Sequence, residues 1–383
     1  MTKKTEKTLK VIALALILGI AGNVSAAPKA ANAAAQGKAQ ALHVVRVPSS
    51  SSTNIEEIAD ELGFFKEKGV RIEWIGQLPP GANSHVALAS GAFDVTSGSH
   101  ADSVIKVRSK GGKIKVILSS ADAVKKYPHM AWFVLENSPI RTPKDLIGKK
   151  HAGLVGNGEN IDISGCTGYG VAEYLRQSGI DIRKAKIEGV TLPAAQMEQA
   201  LKQKLVDVAT FHPPAKGKME NTPGYRRLFD DYQVISPITG KGATRITTAS
   251  EKWLQRDPEG VRGYSAAMAL AADWANAHEE EARQIFAVRM KIKPENVRNM
   301  DMFKWVDHQI VREKEEIQLW IDLMIRYGFL KQGEVKPKDV YTNDYNPYYK
   351  LLKEKKIKPR DILKEAEAIA ARNYPSYLKG KRI

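Results

Sequence analysis

Four short stretches carry the side chains that could do chemistry. Ser49 to Asn54 supplies Ser51, Ser52 and Thr53 just before a helical pattern. Ser97-Gly98-Ser99-His100 supplies two hydroxyls, a glycine and an imidazole. Ser164 to Gly170 adds Cys166, Thr167 and Tyr169, and Phe211-His212 adds an aromatic ring beside a second imidazole. The first two stretches lead into helices, where free N–H groups and the helix dipole favour an anion. Gly98 lets backbone approach a ligand closely. An imidazole is cationic only below about pH 6.5, so His100 reads as a neutral donor. None of these loops holds an arginine, and Arg245 stands only as a distant candidate. The chemistry expected is therefore N–H and hydroxyl recognition of a small anion. The plainer alternatives are that Thr53 or Asn54 only caps a helix, that Cys166 is a small buried residue, and that Phe211 packs into a core.

Catalysis finds less support. A Ser-His-Asp set can be assembled on paper from Ser99, His212 and Asp102, but no nucleophile-elbow motif accompanies it. The Gly156 to Gly170 stretch is not a phosphate-binding loop, because no Gly-Lys-Ser/Thr follows. With one cysteine in 383 residues, an intrachain disulfide and a Cys-rich zinc site are both excluded. No catalytic residue, no cofactor and no metal ligand is expected.

The elements that must position these loops alternate strand and helix. Strands are predicted at 43–47, 70–74, 93–96, 114–118, 132–135, 151–155, 187–190 and 206–211. Helices are predicted from Ile55 to Leu62 with Thr53 and Glu56 as a capping box, from Asn83 to Ala89, and after Ser99, which pairs with Asp102 as a cap. Thr142-Pro143 opens a short helix that Gly148 stops. Val171 to Gln177 and Ala194 to Lys204 are further helices. Strand character resumes from Ser236 to Thr248, and mostly helical segments occupy 261–288, 302–327 and 359–372. This alternation argues for an α/β fold with largely parallel strands. A weak echo relates Ala87–His100 to Gln199–Pro213: helix, turn, strand with an Asp-Val pair, then a loop with a histidine. Ligands of open α/β sheets sit beyond the carboxyl ends of strands, so two lobes are expected to face one cleft.

The N-terminus gives an address. Lys3, Lys4, Lys7 and Lys10 precede an apolar run from Val11 to Ala21, and Val24-Ser25-Ala26 supplies small residues for cleavage after Ala26. The run is too short for a membrane span, which needs about 20 apolar residues, and no cysteine is placed for lipidation. Residues 1–26 are read as a signal peptide and 27–41 as a flexible linker, so the mature protein is expected to be exported, and the resemblance given below makes that compartment the periplasm. The net charge of +16 falls to +13 with the signal peptide, and 331–383 holds 14 Lys+Arg against 7 Asp+Glu. That excess reads as a solvated basic tail rather than a nucleic-acid surface.

GFFKEKGVRIEW (Gly63–Trp74), ALASGAFDV (Ala87–Val95), NSPIRTPKDLIGKK (Asn137–Lys150) and ALKQKLVDVATFHPP (Ala200–Pro214) together resemble the SsuA/THI5-like (NMT1-like) family. Its members are substrate-binding proteins of ABC importers for nitrate, taurine and aliphatic sulfonates. The resemblance implies a type II periplasmic binding-protein fold: two α/β lobes joined by two crossovers, one ligand between them. Lobe 1 is then 42–130 with a return segment at 236–330, lobe 2 is 131–235, and 331–383 is a basic helical C-terminal extension. The resemblance further implies that the Ser164–Gly170 loop opens a helix whose amides meet the anionic group. Phe211-His212-Pro213 stands where members carry a Trp-x-Pro-like segment, which suits an aromatic or larger organic ligand. Implied partners are a small organic anion, a membrane permease and its ATPase, with the binding protein a monomer. A ligand-presenting sensor is the alternative; enzymes of the thiamine-pyrimidine and futalosine type share the fold.

Overall fold

A computed structural model describes residues 41–49, 53–78, 83–293, 296–297, 300 and 302–378. The signal peptide and nearly all of the linker lie outside the described residues. The strands are β1 (His43–Val47), β2 (Val70–Trp74), β3 (Val95–Ser99), β4 (Ile114–Asp122), β5 (Ala131–Leu135), β6 (Lys150–Ala152), β7 (Glu188–Val190), β8 (Val208–Phe211), β9 (Tyr225–Asp230), β10 (Thr244–Ser250) and β11 (Lys304–Trp305). β1 and β2 pair in parallel. One sheet runs β11-β4-β10-β3 and another β7-β6-β8-β5-β9. The chain leaves the first sheet after β4, builds the second, and returns at β10. Residues 123–130 and 231–243 are therefore the two crossovers of a two-lobed α/β molecule.

The expected predominance of parallel strands does not hold. β10 enters antiparallel between β3 and β4, and β5 lies antiparallel to both β8 and β9. A strand that returns from the other lobe approaches its sheet from the opposite end, which reverses its direction. Ser236–Thr239 also differs from the expected strand. Asp230 caps a helix over Asp231–Thr239, its carboxylate accepting from the Gln233 amide at 2.8 Å.

The crossovers are tied at both roots. On the lobe 1 side the Ala123 amide donates to the Ala243 carbonyl at 3.1 Å, and Thr244 Oγ1 donates to Asp122 Oδ1 at 2.6 Å. On the lobe 2 side the Met130 amide donates to Asp231 Oδ1 at 3.1 Å. Lobe 1 is organised round Pro258–Ala277, a helix with Pro at its first turn and an Asp257 cap to the Gly260 amide at 3.0 Å. Its alanines from Ala266 to Ala275 are buried, so neighbours approach closely. The C-terminal extension is not simply solvated. Pro359–Asn373 buries Ile362, Ala366, Ile369 and Ala370 in the same core, with its charges on the outer face. In lobe 2, Trp132 and Tyr174 stack on Phe229 at 4.3 and 3.8 Å, and Gly170 has no room for a Cβ, which would fall 2.2 Å from the Trp132 ring.

Candidate functional site

Between the two sheets lies a cavity of about 560 Å³. Lobe 1 lines it with the end of β3 (Gly98, Ser99), His100 and Asp102 of the helix Ala101–Ser109, and Arg245 of β10. The first crossover contributes His129. Lobe 2 contributes Cys166 and Thr167 in the first turn of the helix Gly165–Arg176, and Thr210, Phe211 and His212 at the end of β8. Both helices point their N-termini at the space. The lobes touch across it where the Gly165 amide donates to Asp102 Oδ2 at 3.1 Å. Burial pushes the Asp102 carboxyl up to about 6, and its Oδ1 has no protein partner.

Arg245 is the positive group of the cleft, 2% exposed. Its Nε donates to the Gly98 carbonyl at 3.1 Å, Nη1 to the Thr53 carbonyl at 3.1 Å, and Nη2 to Asn54 Oδ1 at 2.6 Å. The guanidinium lies over the Phe303 ring, 4.5 Å from its centre. Gly98 permits this arrangement: at φ +98° a Cβ would stand 2.3 Å from Arg245 Nη2. Burial lowers the Arg245 pKa to about 10, with Glu56 and Glu57 opposing, so the charge persists at neutral pH.

The imidazoles are neutral. Burial holds His100 and His212 down to about 4 and His129 well below its ordinary value, and the Arg245 charge pushes each the same way. His129 stands between the other two, ring centres 4.8 Å from each. Cys166, half-buried at the cavity wall, has Sγ 3.4 Å from His212 Nε2. Desolvation first, then Asp102 and Asp231, push its thiol up to about 12.

The structure brings Gly98, Ser99, His100, Cys166, Thr167, Phe211 and His212 to one cavity. Ser51 and Ser52 lie outside the described residues. Thr53 reaches the site only through its carbonyl. Ser97 turns to Thr247, Oγ to Oγ1 2.7 Å. Tyr169 lies on the far side of its helix, buried against Trp320 at 5.0 Å. Two expected caps also differ. Asn54 with Glu57 caps the first helix, the Asn54 amide donating to Glu57 Oε2 at 2.8 Å, while Glu56 is buried and accepts from Tyr264 at 2.9 Å. The helix after β3 starts from His100, because Ser99 is engaged by His85 Nε2 at 2.9 Å. The Gly-rich stretch is helical already from Gly165 rather than from Val171. Arg245 proves to be in the cleft wall rather than distant from it, and His129 went unread. The available signals were a lone arginine in a hydroxyl-rich strand, and a histidine just before the strand that opens lobe 2.

The NMT1/THI5-like family model matches residues 50–282. The periplasmic aliphatic sulphonate-binding protein SsuA from Escherichia coli is similar with a TM-score of 0.58 at 18% identity, over 78% of this chain and 91% of that one. The alkanesulfonate-binding protein SsuA from Xanthomonas axonopodis pv. citri, bound to MOPS, gives 0.62 at 15%, over 78% and 98%. The desulfurization enzyme DSZB gives 0.61 at 13%, over 82% and 99%. At such identities the likeness is one of fold, and binding proteins and an enzyme share it. A search of curated proteins returns no match. The family model spans more than half of the sequence, and the two-lobed fold agrees with it: the chain belongs to the NMT1/THI5-like family.

Proposed function

We propose that the chain is the solute-binding component of an ABC importer, exported with cleavage after Ala26 and working in the periplasm as a monomer. It captures a small organic anion between the lobes and hands it to a membrane permease and its ATPase. Among the described residues no helix is long and apolar enough to cross a membrane, which fits a partner that must dock on one. The observation that carries the reading is the interlobe cavity itself, with a buried guanidinium and two helix N-termini facing it. Its volume, about 560 Å³, falls in the range of sites for organic molecules and exceeds what nitrate fills. That favours a sulfonate or aromatic acid, in line with the ligands of the two SsuA proteins. A neighbouring recess lined by Lys218, Lys291 and Lys293 shares Pro214 and Ala215 with the cavity, so it draws anions toward the mouth.

Capture follows from hinge closure. A ligand touching Ser99 and His100 on one lobe and Thr167 on the other keeps both sets of contacts only when the lobes are closed. Asp102 and the Gly165 amide then add their own bond across the gap. One observation favours an enzymatic reading, the Cys166–His212 pair. A thiolate nucleophile needs a lowered thiol pKa; here a thiol near 12 and an imidazole near 4 keep both partners neutral, so transport is the better reading.

A thermal-shift screen of sulfonates, taurine, nitrate and aromatic acids on the mature protein tests it. Ligand at 100 times its Kd adds about 2.7 kcal/mol and raises Tm accordingly. If none of these anions moves Tm at millimolar concentration, the ligand class is wrong.

A further inference from the structure

The anion reading leaves three imidazoles and the single thiol at the base of the cleft without a common task. The ligand atoms of His100, His129 and Cys166 lie within 4.8 Å of one another, and His212 Nε2 is 3.4 Å from Cys166 Sγ. A tetrahedral ion with nitrogen at about 2.0–2.1 Å and sulfur at about 2.3 Å spaces its ligands roughly 3.3–3.7 Å apart. The set His100, His129 and Cys166 is therefore within about 1–1.5 Å of side-chain adjustment of that geometry, and His212 stands next to its sulfur as a fourth donor.

Two buried nitrogens point the same way. His100 Nδ1 faces the Thr244 carbonyl at 2.8 Å, so it carries the ring proton and Nε2 presents a lone pair. That Nε2 is buried and has no partner, and so is His129 Nδ1; the two residues are 3% and 5% exposed. Fixing one ring nitrogen by a carbonyl so that the other can bind is how metal-ligating histidines are oriented. The spacing of 100, 129, 166 and 212 along the chain hid the cluster, since metal motifs are read from short spacings.

We infer that His100, His129, Cys166 and His212 form a binding site for one divalent late-transition cation of the zinc class, placed at the hinge of the cleft. Imidazole and thiolate select such an ion over calcium or magnesium, which take oxygen ligands. On binding, the Cys166 S–H bond is replaced by a bond from sulfur to the metal, and the proton leaves to buffer. Asp102 and Asp231, whose charges both act on the thiol, offset the positive Arg245 and Lys216 that act on His129. The ligands come from lobe 1, the first crossover and lobe 2, so the ion bridges the lobes in the closed state, beside the Arg245 side of the cavity. The inference does not depend on the identity of the solute.

The test is a titration of chelator-treated, exported protein with Co²⁺. Expected are saturation at one equivalent, intense tetrahedral d–d bands with a sulfur-to-cobalt charge-transfer band, and displacement by Zn²⁺. Cys166→Ser should remove the charge-transfer band, and His129→Gln should weaken Co²⁺ by at least about tenfold, with circular dichroism unchanged in both. A weak octahedral spectrum without a sulfur band in the parent protein overturns the site, whether or not any variant folds. Retention of that band in Cys166→Ser does so too. Anion screening on chelator-treated protein is read separately, so failure of either proposal leaves the other measurable.

Discussion

Two buried polar clusters stand back to back on β10, one saturated and one not. On the first side Arg312 donates to both oxygens of Asp122 at 2.9 and 2.6 Å and also to Glu316, which accepts from Ser119 as well. Thr244 Oγ1 and Lys241 complete Asp122, at 2.6 and 3.6 Å. On the other side the carbonyl of the same Thr244 takes His100, and beyond it His100 Nε2, His129 Nδ1 and Asp102 Oδ1 are unpaired. Charges locked together across the roots of the crossovers hold the frame. Unpaired polar groups facing a cavity are what a ligand satisfies. Burial alone did not mark the site; several unpaired polar atoms gathered at one cavity did.

That contrast can be broken by experiment. The largest effect is expected at the saturated side: Arg312→Met strands Asp122 and buried Glu316 without their partner, destabilising by on the order of 3 kcal/mol in urea unfolding. A loss below about 1 kcal/mol would mean the network is not what holds the crossover roots.

The pH dependence of the unsaturated side comes next. The His100 pKa falls from 6.5 unfolded to about 4 folded, so its neutral burial supports the fold above pH 6.5 and is lost as pH drops through 4. Between pH 7.5 and 4 the parent should therefore lose up to about 3 kcal/mol more stability than His100→Gln. Buried Asp102 and Asp231, raised to about 6 and 7, change stability in the opposite direction over the same range and are common to both proteins. Equal pH profiles for parent and variant would show that His100 titrates freely and is not enclosed.

At the small end, His100→Ala should weaken solute binding more than His85→Ala in titration calorimetry, because His85 only supports Ser99 from behind. The reverse order would misplace the cleft wall. Tyr169→Phe should leave solute affinity unchanged, since the ring packs against Trp320 outside the cavity; a clear loss of affinity would return Tyr169 to the site.

Much of the frame was legible in local pattern. The strands at 43–47 and 70–74, the helix placed at Asn83–Ala89 and the Thr142-Pro143 start each follow from neighbours within a few residues. The caps at Thr53 and Ser99 were misread for a reason outside that range. Thr53 with Glu56 and Asn54 with Glu57 fit the same pattern, and only burial of Glu56 beneath Tyr264 decides between them. Ser99 and Asp102 fit a cap equally well, but His85 takes the first and the Gly165 amide takes the second. Ser236–Thr239 carries apolar residues that suit either a strand or one face of a helix, and the Asp230 cap settles it as helix.

The sequence by itself determined the order of strands as far as Phe211, the family, the expectation of export and the loops that end near a cleft, because these rest on periodicity, capping chemistry and short motifs. Tertiary structure alone decided that Arg245 faces the cavity, that His129 stands between His100 and His212, and that Cys166 joins them. These residues meet because β10 returns between β3 and β4 and the first crossover passes the cleft. A contact made by chain return leaves no periodic trace in the residues that make it.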